Sequence, residues 1–218
     1  MSRILSVIAS SRRRGQALLV NQTFETPTTG YDNGETWTGA GTGTVSPAQS
    51  AVVIQGTQTL EINLVSQTGS TFTAFTSQSS LFVKFQFQVA ATPTSNAVIA
   101  SIRNGTTLLA TLTSRGTRLL TVTASGGTLN QSSDTMPTGT TIWIWFEYVK
   151  GTGSNAIARA GWATSDVKPT FVASSNKTCV SSDGTSTSNA DRLYLGTTTS
   201  IAALRTYYDV VQASSSAF

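Results

Sequence analysis

The most apolar run of the chain is the stretch TTIWIWFEYVK at residues 140–150. Because successive side chains of a β-strand point to opposite faces, the run divides into two sets by parity. The first set is entirely apolar and is predicted to face a core; it comprises Ile142, Ile144, Phe146 and Tyr148. The stretch therefore predicts the central strand of a β-sandwich.

The second parity set of the same run carries Trp143, Trp145 and Glu147. Two Trp rings at positions i and i+2 form a flat apolar ledge of the kind that stacks on a sugar ring, so these residues are a candidate glycan-binding site. A loop or a neighbouring sheet could also cover the ledge, since large aromatic side chains mostly serve packing. The sequence leaves both interpretations open.

Other strand signals recur along the chain, and no helical period is convincing beyond the first twenty residues. Residues 80–90, SLFVKFQFQVA, alternate in the way that is typical of a sheet with one face in solvent. The Asn-Gly pair at 104–105 predicts a tight hairpin turn. Longer loops are predicted at 26–43 and 164–190. Consecutive short strands about ten residues apart indicate an all-β sandwich.

Two absences exclude several kinds of chemistry. The chain has no histidine, which excludes a histidine-ligated metal, a Ser–His–Asp triad and a histidine general base. Cys179 is the only cysteine, so no intrachain disulfide can form. No apolar run reaches the roughly 18–20 residues that a membrane helix needs.

Positive charge is concentrated near the start of the chain. Of the 14 basic residues, four lie in the first twenty positions, and the remaining ten balance the ten acidic residues. The four are Arg3, Arg12, Arg13 and Arg14. A neutral body argues against a nucleic-acid-binding surface, which needs a clustered positive field.

Residues 1–16 are predicted to be an extended arm that anchors the chain on another protein through these arginines. A disordered, solvated tail is the alternative interpretation. Arg12, Arg13 and Arg14 follow the short apolar patch within residues 1–11, whereas a secretory signal has its basic residues before the apolar stretch, so we do not expect a signal peptide. Residues 17–212 are predicted to form one domain, and residues 213–218 a C-terminal tail.

Several short motifs resemble the concanavalin A-like lectin/glucanase superfamily, and within it the laminin-G-like jelly rolls. The matching stretches are Phe24-Glu25, Gly30-Tyr31-Asp32, GTQTLE at 56–61, FEYVKG at 146–151 and YYDV at 207–210. The resemblance implies an all-β fold, a two-sheet antiparallel jelly-roll sandwich whose first and last strands are adjacent.

The same resemblance implies a structural calcium ion near the strand ends. Glu25 and Asp209 would then be ligands on neighbouring strands, with Asp32 as a loop alternative, because calcium prefers oxygen ligands. In the other interpretation these acids only accept hydrogen bonds from backbone N–H groups.

Glucanases of this superfamily carry a Glu-x-Asp-x-x-Glu run on one strand face, and this chain lacks it. Glu147 has Trp145 and Val149 as its same-face neighbours, and Glu61 has Asn63. A pair of carboxyl groups is what glycoside hydrolysis needs, so we do not expect an enzyme, and a glycoside hydrolase is the least favoured reading.

Jelly rolls of this type also occur in virion proteins of tailed bacteriophages. The basic arm, the expected absence of a signal peptide and the absence of a disulfide lead us to expect a non-enzymatic structural or binding protein of the virion. It would be a homo-oligomeric capsid decoration or tail-associated protein, with other virion proteins and surface glycans as partners and no nucleic acid. The alternative is a secreted carbohydrate-binding module.

Overall fold

A computed structural model describes residues 17–27 and 29–218, and these residues form strands, turns and loops but no helix. The strands are β1 (Leu18–Gln22), β2 (Trp37–Gly41), β3 (Thr44–Gln49), β4 (Thr59–Gln78), β5 (Ser80–Val89), β6 (Ala97–Asn104), β7 (Thr107–Ser114), β8 (Leu119–Ala124), β9 (Asn130–Thr135), β10 (Ile142–Val149), β11 (Ala156–Ala163), β12 (Thr178–Gly184) and β13 (Ala190–Ser214). The described ranges therefore contain no helix that could cross a membrane. The predicted arm, with its four arginines, lies outside the described residues.

The strands form two layers that share two long strands. Sheet I contains β12, β11, β10 and β5, the second half of β13, the first half of β4 and then β3. Sheet II contains β9, β8, β7 and β6, the first half of β13, the second half of β4 and then β2. All of these pairings are antiparallel, so the predicted all-β jelly-roll sandwich is confirmed.

The passage from one sheet to the other requires glycine at the bend of β13. Gly196 has a φ of +86°, a conformation that L side chains rarely adopt. A Cβ atom there would lie 2.4 Å from the carbonyl oxygen of Gly69 on β4. A shift in register between Thr197 and Ile201 follows at once. This close approach lets two strands turn together and supply both layers.

The core lies between the two sheets, as the parity of β10 predicts. Ile142, Ile144, Phe146 and Tyr148 are all at most 1 % exposed and belong to it. Tyr208 of β13 spans the gap, because its hydroxyl donates a 2.9 Å hydrogen bond to the carbonyl of Ile99 in the other sheet.

Polar strands account for most differences from the sequence prediction. The predicted loop 26–43 contains β2, and the predicted loop 164–190 contains β12. Strand β9, NQSSDT, has no apolar alternation that would predict a strand, and it pairs at the sheet edge with β8. Strand β1 pairs with the end of β13, which confirms that the first and last strands are adjacent.

Candidate functional site

The outer face of sheet I carries polar and aromatic side chains on three adjacent strands, β4, β13 and β5. Tyr207 on β13 pairs with Glu61 of β4 on one side and with Gln88 of β5 on the other. Directly paired residues share a face of the sheet, and so does Arg205, which is two residues before Tyr207. The register thus gathers a phenol, a carboxylate, an amide and a guanidinium.

Three of these side chains are in contact, and we call Glu61, Arg205 and Tyr207 the Arg205 cluster. Nε of Arg205 donates a 2.6 Å hydrogen bond to Oε1 of Glu61. The guanidinium carbon lies 5.7 Å from the centre of the Tyr207 ring. The Arg205 side chain is 49 % exposed and that of Glu61 only 10 %. The cluster therefore presents a cation to solvent above a buried acid.

The environment of Tyr207 keeps its hydroxyl protonated at neutral pH. Burial raises the pKa of Tyr207, and the negative charge of Glu61 raises it further, while the positive charge of Arg205 opposes both. The phenol is therefore a potential proton donor beside the guanidinium.

A small cavity of about 140 Å³ adjoins Arg205 at the edge of the same face. Its wall includes Asn63, Thr92, Pro93, Ala203 and Arg205. Part of a sugar unit is the size of group that this space admits, and the guanidinium forms its charged side.

The opposite end of the face is covered by the segment 164–177. Lys168 of this segment forms an ion pair with Glu147, and Arg159 Nη1 lies 3.9 Å from the same carboxylate. Trp145 is 1 % exposed and Glu147 is 4 % exposed as a result. Neither side chain belongs to the core between the sheets, so both are buried from outside.

The ring of Trp143 is also partly covered. Nζ of Lys84 lies 4.9 Å from its ring centre and bonds to Asp166 of the covering segment at 2.8 Å. The Trp143–Trp145 pair is therefore not an open ledge in this structure, because Trp145 is buried and the ammonium group of Lys84 lies over Trp143. Glycan binding by Trp143, Trp145 and Glu147 stays an untested prediction.

Glu25 and Asp209, the predicted calcium ligands, both hold the loop at 50–58. Glu25 accepts hydrogen bonds from the backbone N–H of Thr57 at 3.0 Å and from its hydroxyl at 2.6 Å. Asp209 accepts from the N–H of Gln55 at 2.9 Å and of Val210 at 2.8 Å. Burial raises the pKa of Asp209 to about 7 against these bonds, and the charge of Glu25 adds to the rise.

Asp32 lies elsewhere and accepts hydrogen bonds from the N–H and the hydroxyl of Thr23. No group of three or more Cys, Asp or Glu side chains that could hold a metal ion occurs in residues 17–27 and 29–218. Because the carboxylates already face N–H and O–H donors, they do not fit a ready calcium site. Calcium binding stays an untested prediction.

The Arg205 cluster was not predicted from the sequence. Glu61 stood out there only because it lacks an acidic neighbour, and Tyr207 only as part of a fold motif. The available signal was the Arg-x-Tyr alternation on the last strand, which places both side chains on one face. Their glutamate partner lies 144 residues earlier, which no local pattern reveals.

Comparison with known proteins finds relatives in structure alone. No family model matches the chain, and no curated protein matches it in sequence. The PL-14 alginate lyase from Aplysia kurodai is similar with a TM-score of 0.64 and 9 % identity, over 90 % of this chain and 98 % of that one. The endo-β-1,4-glucuronan lyase from the fungus Trichoderma reesei is similar with a TM-score of 0.54 and 11 % identity, over 81 % and 87 %.

These matches correct the expectation of a non-enzymatic virion protein. Both of these matches are polysaccharide lyases by name, and neither is a virion protein. The expectation was wrong because it rested on the basic arm and the missing disulfide, and neither feature depends on the fold that the matches share. At about 10 % identity the likeness establishes the fold: the chain is a jelly-roll β-sandwich of the kind found in polysaccharide lyases.

Proposed function

We propose that this protein is a carbohydrate-active enzyme that cleaves an acidic polysaccharide by β-elimination at the Arg205 cluster. The observation that carries the proposal is the exposed guanidinium of Arg205, held 2.6 Å from Glu61 and against the buried Tyr207. The resemblance to concanavalin A-like domains and the fold shared with the two lyases support the same class of substrate.

The elimination reaction needs three groups. A base takes the proton from the carbon beside the uronate carboxylate, and that electron pair forms a carbon–carbon double bond. The bond to the leaving sugar oxygen breaks, and that oxygen takes up a proton. The carboxylate charge opposes the first step, so a cation must bind it and stabilise the negative charge that develops.

Each member of the Arg205 cluster fits one of these roles. Arg205 binds the uronate carboxylate, for which its planar guanidinium is suited. When a substrate carboxylate binds the guanidinium of Arg205 in place of Glu61, the Glu61 carboxylate becomes free to accept the proton from the substrate carbon. Tyr207 is protonated at neutral pH and donates its proton to the leaving oxygen.

The spacing of the acids on this face favours elimination over hydrolysis. Glu61 on β4 and Glu147 on β10 are separated by β13 and β5. Three strand spacings of about 4.8 Å separate them by about 14 Å across the sheet, and their rows meet β5 at Gln88 and Phe82, six residues apart along the strand, whereas hydrolysis with retention needs about 5–5.5 Å. Asp209 is fully buried beneath the loop at 50–58.

The test is an assay of purified protein on polyglucuronate and alginate. The double bond formed is conjugated with the carboxylate, so the product is followed by its ultraviolet absorbance. We expect Tyr207→Phe, Glu61→Gln and Arg205→Gln each to lower the initial rate by about 100-fold or more.

Tyr31→Phe is the matched control, because it removes one phenol hydroxyl that bonds to Thr71 and not to the Arg205 cluster. Melting temperatures of all variants exclude unfolding as the cause. The proposal is rejected if the wild type forms no unsaturated product, or if Tyr207→Phe cleaves as fast as Tyr31→Phe.

A further inference from the structure

The outer face of sheet II carries two arginines above a stacked aromatic pair. The rings of Phe72 and Tyr194 lie 4.6 Å apart at an interplanar angle of 16°. The guanidinium carbon of Arg103 is 4.5 Å from the centre of the Tyr194 ring, and that of Arg192 is 5.5 Å from the centre of Phe72. We call these four residues the arginine platform.

The sheet register places the two arginines directly opposite each other on β6 and β13. Like charges in that arrangement destabilise a sheet. Nε of Arg192 is 3.9 Å from Asp191, whose carboxylate also accepts the N–H of Gly105. In the described part of the chain no carboxylate lies within 4 Å of the Arg103 guanidinium, which bonds to the hydroxyls of Ser101 and Thr198. The platform thus holds more positive than negative charge.

A cavity of about 220 Å³ adjoins the platform through Thr198. Ser70, Thr68 and Ala40 also line this cavity. Ser70 is 1 % exposed, and its hydroxyl has no hydrogen-bond partner among the described residues. A buried hydroxyl without a partner is costly, so the cavity wall offers a polar group that a ligand can satisfy.

We infer that the arginine platform and its cavity form a second binding site for a carboxylate-bearing sugar unit. The guanidinium pair binds the carboxylate, which also relieves the repulsion between the two cations. The aromatic rings hold the guanidinium groups in place before the ligand arrives. Ser70 and Thr198 bond to sugar hydroxyls in the cavity.

The nature of this ligand rests on the proposed function, because an acidic polysaccharide is the polymer that both sites would contact. The outer faces of the two sheets point away from each other, so the platform cannot take part in cleavage at Tyr207. It binds a separate stretch of polymer and raises the effective concentration of substrate near the Arg205 cluster.

The experiment measures binding of glucuronate oligosaccharides by calorimetry, with Arg205→Gln as the background that disables the first site. We expect Arg103→Gln in that background to weaken binding by at least tenfold. Arg103→Lys keeps the charge but loses the planar donors, so an intermediate loss is expected. Lys150→Gln removes one exposed positive charge from the end of sheet I and is expected to leave binding unchanged.

Three outcomes overturn the inference: equal binding by Arg205→Gln and its Arg103→Gln derivative, equal binding of neutral glucose oligosaccharides, or tighter binding of inorganic sulfate than of the oligouronate. Melting temperatures confirm that each variant is folded. The two proposals fail separately. Binding that depends on Arg103 without any cleavage supports the platform and rejects the lyase, and cleavage without such binding does the reverse.

Discussion

The two ends of the outer face of sheet I each bury a glutamate against a cation, yet a segment of the chain covers only one of the two ends. Glu61 is paired with Arg205, whose side chain is 49 % exposed. Glu147 is paired with Lys168, whose side chain is 26 % exposed and belongs to the covering segment 164–177. The strands and their alternation are alike at both ends, and the cover differs.

This difference separates a structural ion pair from a candidate catalytic one. At the covered end Glu147 and Trp145 are buried, and Lys168 of the covering segment forms an ion pair with the buried carboxylate. At the open end the guanidinium has donors left for a ligand, and a protonated phenol stands beside it. The same kinds of residue thus contribute to stability at one end and to chemistry at the other.

The largest expected effect is at the covered tryptophan. Trp145→Ala removes a side chain that is 1 % exposed, and we expect it to lower the free energy of unfolding by about 4 kcal/mol. Trp143→Ala, at a half-buried position beside it, should cost about 1 kcal/mol, because less surface is lost. Urea unfolding of both variants measures the difference. Equal losses would show that segment 164–177 does not cover the face in solution.

The second prediction compares how much the two ion pairs contribute to the free energy of unfolding. Lys168→Met leaves the buried Glu147 with only Arg159 at 3.9 Å, so we expect a loss of about 3 kcal/mol in unfolding free energy. Arg205→Met breaks a pair whose cation is half in solvent, and a loss of about 1 kcal/mol is expected. Chemical denaturation of the two variants is the measurement, and a larger loss for Arg205→Met would reverse the assignment of open and covered ends.

A third prediction concerns pH and Asp209, the acid of this face that the loop at 50–58 covers. Its pKa is about 7 in the folded protein, above the value of about 3.9 expected in the unfolded chain. The folded state therefore binds the extra proton, and this contribution to stability falls as the pH rises from about 4 to about 7. Over this range the free energy of unfolding falls by at most about 1.4 kcal/mol per pH unit. Above about pH 7 the contribution of Asp209 no longer changes with pH.

Asp209→Asn is the control for this titration, because it removes the ionisable group and keeps the shape. Unfolding free energies measured between pH 4 and pH 8 should show a slope in the wild type that the variant lacks. Parallel curves for the two proteins would show that burial does not raise the pKa of Asp209.

The smallest expected effect is that of calcium. Because Glu25 and Asp209 already accept backbone N–H groups, we expect the melting temperature to be the same in calcium and in EDTA. A clear rise in melting temperature with calcium, lost in Glu25→Gln, would instead support the calcium site that the sequence resemblance implies.

Much of the sandwich could be predicted from local patterns. The parity of 142–148 and the alternation of 80–89 identify core-facing residues. Burial alternates along 80–89, whereas in 142–148 Trp145 and Glu147 of the outer face are buried as well. The polar strands β9 and β12 could not be predicted in this way. Their pairing depends on neighbouring strands and on backbone hydrogen bonds, to which Ser, Thr and Asn contribute no apolar signal.

The candidate site was less predictable than the fold, because its parts are distant in sequence. Arg205 and Glu61 meet only when β13 pairs with β4. The sequence correctly predicted that Trp143 and Trp145 share one face of the strand. It did not predict that residues 164–177 cover this face, since nothing in the sequence of that segment indicates where it lies.

The sequence by itself determined that this chain is all-β, which side of each apolar strand faces the core, and that histidine and disulfide chemistry are excluded. Those properties follow from side-chain alternation and composition, which are local. Only the tertiary structure decided which polar side chains meet and which are covered, because strand pairing and loop packing join residues more than a hundred positions apart. Whether a cation next to a carboxylate stabilises the fold or remains available to a ligand depends on that cover.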